Sequence, residues 1–428
     1  MFEVRKEMRH GTMGVDWQGR IDFARMRRER LAKTQAKMKE FGVAALLCFT
    51  PENKRYTTGL RGAQHTGGGN DFILIFAEDS EPIVFEQGSI WLAEKEHITW
   101  IKPENYRPIA YIRIPGAGPA WEEEYAKKRF APLIFDELKK KGLQKEKLAV
   151  DFLYGSFRVA LENLGVKIAD ARYMMMEARS IKTEDEINCM RMAGALVEVA
   201  YAEMIDFLRP GRRENEVAAV GYGALWRNGV DGVGGVTVRS GPNTAPNYLG
   251  RMPTDRIIQP GDMVYWDIFG ASYMGYRSCY YRTFKVGTKP TEQEKDWFKK
   301  CREYLYNAAE VLKDGVTSAD VAAKWPQAKD FGLDDEALVS GNAIGHGVGL
   351  GQYEYPLITR VNSLPCPQPI KKGMTIAMET WAGQLDTVKG WRGGCRLENI
   401  YLVTEKGSEN LYAMPDDHII CPPHAMYE

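Results

Sequence analysis

The sequence predicts an α+β protein in two parts, a smaller α/β N-terminal domain over residues 1–172 and a larger C-terminal domain over residues 173–428. Three observations lead there. In the first part, apolar strand-like runs alternate with helical stretches; a long amphipathic helix then opens near residue 175; after it, strand and turn signals cluster into a mostly antiparallel pattern.

Residues 22–41 space their apolar side chains as a basic amphipathic helix, ended by Phe41-Gly42. "VAALLCF" at 43–49 is the length of a buried strand, "TPEN" reads as a turn, and "FILIFA" and "PIVF" read as further strands. In "SIKTEDEINCMRMAGALVEVAYAEMIDFLRPG", Thr183 followed by Glu186 forms a capping box, and Pro210-Gly211 stops the helix. Strand and turn signals follow in "GGVTVRSGPNTAPNY", "GDMVYWDIFG", "GYRSCYYRTFKVG", "GHGVGLGQYEYP", "GMTIAMETWAG" and "CRLENIYLVTEKG", with helical stretches at 291–314 and 318–330. The Gly275-Tyr276 pair turns the chain, and Tyr280, Tyr281, Thr283 and Phe284 favour the return strand of a hairpin that points Cys279 inward.

Composition narrows the function classes. The chain has 428 residues, 44% hydrophobic and 27% charged, the make-up of a globular protein with room for two cores. Lys+Arg and Asp+Glu balance at 57 each, so no overall field gathers nucleic acid or an anionic membrane, and a small molecule is the expected partner. "MFEVRKEMRHG" lacks the apolar core of a signal peptide, which with seven cysteines in no CxxC pair predicts a cytoplasmic protein with reduced thiols.

Four chemically capable residues follow apolar strand-like runs, where an isolated charge would be costly. Asp267 follows Met263 to Trp266, His346 lies between glycines, Glu379 ends "TIAME", and Glu398 lies in "RLEN". An acid after a strand is ordinarily a turn or cap residue. Four such residues together are better explained by a shared site.

The order of Asp267, then "GY" with "RTF", then "GHGVGL", "AME" and "RLEN" resembles the creatinase, aminopeptidase P and methionine aminopeptidase family, closely over about residues 175–415. The resemblance implies a C-terminal pita-bread catalytic domain behind a creatinase-like N-terminal domain, in which "NKRYTTGL" at 53–60 looks like a family strand. The family's peptidases hold two metal ions with five side chains. Four of the positions fall on Asp267, His346, Glu379 and Glu398, and the fifth, an aspartate, falls on Cys279.

Other departures accompany Cys279. Tyr353 stands where the peptidases carry a second histidine, and Asn247 and Tyr248 where a further one is expected. The spacing from Asp267 to Cys279 resembles the dimethylsulfoniopropionate lyase branch, but Phe269 and Gln352 stand where that branch carries an aspartate and its base. The pattern therefore implies a non-peptidase branch with an incomplete dimetal site.

What remains allows no metal or one divalent ion on Asp267, Cys279, His346, Glu379 and Glu398, and sulfur with imidazole favours zinc or iron over magnesium. Cys279 is a ligand, a nucleophile or a small buried hydrophobe. Without metal, clustered acids need a positive partner, and the resemblance to the metal-independent creatinase branch suggests a cationic substrate. Tyr248, Trp266, Tyr276, Tyr353, Tyr355, Trp381 and Trp391 are candidates for an aromatic wall beside it, against the alternative of ordinary packing.

The expected activity is that of a hydrolase or lyase cleaving a C–N bond in a small charged, nitrogen-containing metabolite. His346, Glu379 and Glu398 are the expected catalytic residues, and Tyr248, Tyr353, Arg396, Arg61 and His65 the substrate-binding ones. Alternatives are a metal-dependent Xaa-Pro peptidase, a single-metal lyase and an inactive binding protein. The resemblance also implies a homodimer with a shared site, to which the glycine-rich stretch after Arg61 reaches.

Overall fold

The structure is a computed structural model that describes residues 21–61, 71–110, 118–245, 252–339, 341, 343–385 and 392–422. The chain forms two compact units: one is Phe23–Arg179, and the other is Ser180–Glu428 joined by Asp22, whose amide donates to Asp185 Oδ1 at 2.9 Å.

The first unit runs α1 (Phe23–Glu40), β1 (Ala45–Cys48), α2 (Pro51–Thr58), β2 (Phe72–Phe76), β3 (Ile83–Gln87), α3 (Gly88–Glu94), β4 (Tyr106–Ile109), α4 (Pro119–Tyr125), α5 (Ala131–Lys140), β5 (Lys147–Val150), α6 (Gly155–Asn163), β6 (Lys167–Asp170) and α7 (Arg172–Ser180). Its six strands pair in the order β4-β3-β2-β1-β5-β6, parallel at β3–β4, β1–β5 and β5–β6 and antiparallel between the others. Phe49, Phe72, Phe85, Phe130 and Phe157 fill the core, with Phe130 and Phe157 stacked at 4.2 Å between ring centroids.

Two expectations change here. "NKRYTTGL" falls mainly in helix α2, not in a strand, and the "TPEN" turn is that helix's first turn. Pro51 stands at its start, and Gly59, at φ 77°, ends it by donating its amide to the Arg55 carbonyl. The units part after Arg179, not at 172/173, because α7 packs into the first unit. Tyr56 donates its hydroxyl to the Ala178 carbonyl at 2.8 Å, and Lys37 pairs with Glu177 at 2.7 Å.

The second unit opens on α8 (Glu184–Phe207), with the Thr183–Glu186 capping box formed in both directions. There follow α9 (Glu214–Arg227), β7 (Gly235–Ser240), β8 (Met263–Phe269), β9 (Ser272–Tyr273), β10 (Tyr276–Arg277), β11 (Tyr281–Lys285), α10 (Glu292–Ala309), α11 (Ser318–Ala322), β12 (Ala343–Gly347), β13 (Glu354–Ile358), α12 (Arg360–Ser363), β14 (Thr375–Leu385), β15 (Arg392–Val403) and β16 (Ser408–Asn410). All strand pairs in this unit are antiparallel, in sheets ordered β11-β8-β7, β10-β9 and β13-β12-β14-β15-β16. Phe298, Cys301, Leu305 and Ala308 place one face of α10 in a core with Ile376, Met378 and Leu397.

Candidate active site

The site gathers from both larger sheets of the second unit. On β8, Asp267 lies opposite Thr237 of β7 and Tyr281 of β11, and alternation turns Trp266 to the other face. There Trp266 packs against Phe284 and Tyr201, so it belongs to the core instead of an aromatic wall. Asp267 is buried and its Oδ1 accepts the Tyr280 amide at 3.3 Å.

"GYRSCYYRTF" is two strands with a break between them. Tyr276 and Arg277 return against β9, while Tyr281 begins a strand paired with β8. Cys279 falls in the break, so no ladder fixes its amide, which donates instead to the Tyr412 hydroxyl at 3.2 Å. Tyr412 stacks on Tyr280 at 4.0 Å and lies against Gly194, where a β-carbon would come within 2.5 Å of the ring. Tyr276 donates its hydroxyl to Glu186 at 2.7 Å, a packing role for a second of the aromatics.

Strands β12, β14 and β15 bring the remaining groups together. Glu379 lies directly across from Glu398, a like-charged pairing that a sheet does not tolerate uncompensated. Arg396, two residues before Glu398 and therefore on its face, donates Nη1 to Glu379 Oε2 at 2.7 Å and Nη2 to the Gly341 carbonyl at 2.8 Å. Its guanidinium lies 5.1 Å from the Tyr281 ring centre. Both members of this ion pair are buried.

Glu398 has no such partner. It is fully buried, and neither carboxylate oxygen has a hydrogen-bond partner of ordinary geometry. Burial, then Glu379, then Asp267 push its pKa well above the usual carboxylate range, against a weaker opposing effect of the Cys279 thiol. The Cys279 pKa is pushed well up by burial and by Glu398, Asp267 and Glu379. Burial thus favours the protonated form of both groups. Thr237, opposite Asp267, likewise has a buried hydroxyl with no partner.

His346 on β12 is fully buried, with Nδ1 at 3.0 Å from the Gly347 carbonyl oxygen. A carbonyl only accepts, so Nδ1 carries the hydrogen and Nε2 presents the lone pair. The Tyr353 ring sits 4.3 Å from the imidazole centre and is 45% exposed, which makes it the solvent-side wall of the cluster.

Among the described residues one set of three metal-ligating side chains converges: Cys279 Sγ, a ring nitrogen of His346 and a carboxylate oxygen of Glu398 lie within 4.8 Å of one another. Asp267 and Glu379 stand outside that set. Sulfur, nitrogen and oxygen donors around an otherwise unsatisfied carboxylate fit one ion.

Residues 188–405 match the model of Metallopeptidase family M24, and residues 30–181 match the Creatinase/Prolidase N-terminal domain. The chain belongs to family M24. It is 32% identical over 260 residues to "Probable dipeptidase PepE" of Mycobacterium bovis, a match covering 60% of this chain and 65%, just under two thirds, of that protein. It is 26% identical over 412 residues to dimethylsulfoniopropionate lyase DddP of Roseobacter denitrificans, covering 92% of this chain and 87% of the other. The crystal structure of dipeptidase PepE from Mycobacterium ulcerans superposes with a TM-score of 0.73 at 24% identity over 95% of this chain and all (100%) of that one. The two-domain fold is thus that of the M24 enzymes, and a divalent metal is compatible with it.

Of the residues singled out from sequence, the M24 domain brings together Asp267, Cys279, His346, Tyr353, Glu379, Arg396 and Glu398. Arg61 belongs to the first unit and is exposed; Tyr248, His65 and Trp391 lie outside the described residues. Sequence reading missed Arg282, whose buried guanidinium donates to the carbonyls of Tyr281 and Glu398 at 2.8 Å, of Met414 at 2.7 Å and of Pro415 at 2.9 Å, and to Asn399 Oδ1 at 2.9 Å. It missed Tyr412 and the buried Lys182–Glu354 pair at 2.9 Å. Arg282 stood in plain view in "RTF", where its fork of donors was the available signal. Tyr412 lies beyond every motif and had none.

No helix among the described residues is long and apolar enough to cross a membrane.

Proposed function

We propose that this chain is a non-peptidase hydrolase of its family, cleaving a C–N bond in a small cationic, nitrogen-containing metabolite. The observation that carries this reading is a cluster of three buried carboxyl groups, Asp267, Glu379 and Glu398, beside the exposed Tyr353 ring that stands over His346. A quaternary ammonium or guanidinium group on the substrate is attracted by these acids, and the exposed Tyr353 ring offers a face for it.

In this reading His346 moves the proton. Its Nε2 takes a proton from water as the oxygen attacks the carbon, and returns it to the nitrogen as the C–N bond breaks. Arg396 holds Glu379 in place through its 2.7 Å hydrogen bond, and Glu398 orients the substrate. A divalent ion, if bound, would be held by Cys279, His346 and Glu398 and would supply Lewis-acid polarisation.

A second reading has its own support. The dipeptidase relative and the superposed dipeptidase favour Xaa-Pro or related dipeptide hydrolysis with added metal. The two separate in one experiment, in which chelator-treated enzyme and enzyme with manganese or cobalt are each given guanidino and quaternary-ammonium acids and Xaa-Pro dipeptides. Turnover of a cationic acid under chelation is the expected result. Turnover confined to dipeptides, and only with metal, would replace this proposal by the second. Dimethylsulfoniopropionate belongs in the same panel, as a test of lyase activity.

A further inference from the structure

We propose that Cys279, His346 and Glu398 take up one thiophilic divalent ion of the zinc class, and that this occupancy silences the proton route by engaging His346. The second half rests on the role given to His346 above; the first does not.

Glu398 is the starting point. A fully buried carboxyl with two oxygens and no ordinary hydrogen-bond partner is uncommon in a folded core, and the pairing of strand β15 with β14 fixes it there. A donor of positive charge beside it removes the anomaly. Zinc–ligand bonds of about 2.0–2.3 Å place ligand atoms roughly 3–4 Å apart, and the three donor atoms here lie within 4.8 Å of one another, so small side-chain rotations close the set.

The same geometry argues for one ion, not two. Glu379 Oε2 is already held by the Arg396 guanidinium, and a second cation beside it would meet that charge at close range. Asp267 accepts a backbone amide through Oδ1. Donor softness then selects the metal. A thiolate with an imidazole and one carboxylate favours zinc, cobalt or iron over magnesium and manganese, and binding displaces the protons held by the Cys279 thiol and the Glu398 carboxyl.

The ion and the proton compete for one lone pair. Because Nδ1 carries the hydrogen that faces Gly347, only Nε2 can coordinate, and a coordinated Nε2 cannot accept a proton from water.

Cobalt titration of the chelator-treated protein tests the ligand set without reference to activity. The expected result is one equivalent bound, with a thiolate-to-cobalt charge-transfer band in the near ultraviolet that Cys279→Ser abolishes and Cys366→Ser, at an exposed cysteine, leaves unchanged. Glu398→Gln, which keeps the side chain's shape, should retain the band but weaken binding by roughly 10- to 100-fold; near-ultraviolet circular dichroism of the variants confirms folding. No band, a band that persists in Cys279→Ser, or two equivalents bound would overturn the site. Zinc loading should lower turnover of the cationic substrate, and chelation should restore it. A site with the expected band whose loading raises turnover would overturn the silencing and the metal-free chemistry together, while the spectroscopy stands apart from both.

Discussion

Glu398 and His346 divide the work of one small volume by opposite use of burial. Burial raises the pKa of the carboxyl because charge is costly there, whereas the imidazole has its tautomer set by a backbone carbonyl. His346→Ala should leave the fold intact, as judged by circular dichroism, and lower turnover on the true substrate by roughly 10²- to 10⁴-fold. Unchanged turnover would move the proton role elsewhere. These residues were legible because each interrupts an apolar run with a group that must be compensated. Arg396 was legible as a partner for some acid, but which acid depends on the β14–β15 register, which no local pattern states. The aromatics were the least legible: Trp266 and Tyr353 look alike in sequence, yet one is buried against Phe284 and the other stands over His346.

Among the elements, the Thr183 capping box could be read because its partners are three residues apart. Helix α2 was misread because Tyr56, Thr57 and Thr58 favour strands, while Pro51 and Gly59 set the outcome from its ends. The joining of β11 to β15 was not legible at all, since it rests on Arg282 and on Thr283, whose Oγ1 donates to the Arg396 carbonyl at 2.7 Å. Arg282→Lys keeps the charge and loses the fork, so it should cost about 3 kcal/mol, seen as a lower urea midpoint. A midpoint equal to the parent's would show that the strands hold without it. In the first unit, burial and Asp71 raise the Glu86 pKa on β3 from 4.5 to about 7. A pKa raised on folding means the native state holds the proton more tightly, so this stability is present below pH 4.5 and is lost as pH rises through 7. Glu86→Gln should match the parent near pH 4 and exceed it near pH 8, by up to about 3 kcal/mol. A constant difference across that range would remove the titration from the account.

At the scale of the whole molecule, the two-part organisation showed in the change from alternating to clustered strands, and the exact parting point did not, because α7 could be assigned only by what it touches. The sequence-based expectation of a dimer that shares its site leads to a test with intact chains. If Arg61 serves the neighbour's site, mixtures of Arg61→Ala and His346→Ala chains should regain activity that neither shows alone. Mixtures as inactive as their parents would make each site self-contained.

The Tyr412 hydroxyl that accepts the Cys279 amide has a consequence in time. The two residues are 133 positions apart. At synthesis rates of about 5–20 residues per second, Cys279 waits roughly 7–27 s after it is made before Tyr412 exists. The same interval precedes the carbonyls of Met414 and Pro415 that receive Arg282. A ribosome-bound chain halted before residue 412 should therefore expose the Cys279 thiol to an alkylating reagent that the finished protein resists. Cellular oxidants would meet this cysteine chiefly during the chain's synthesis.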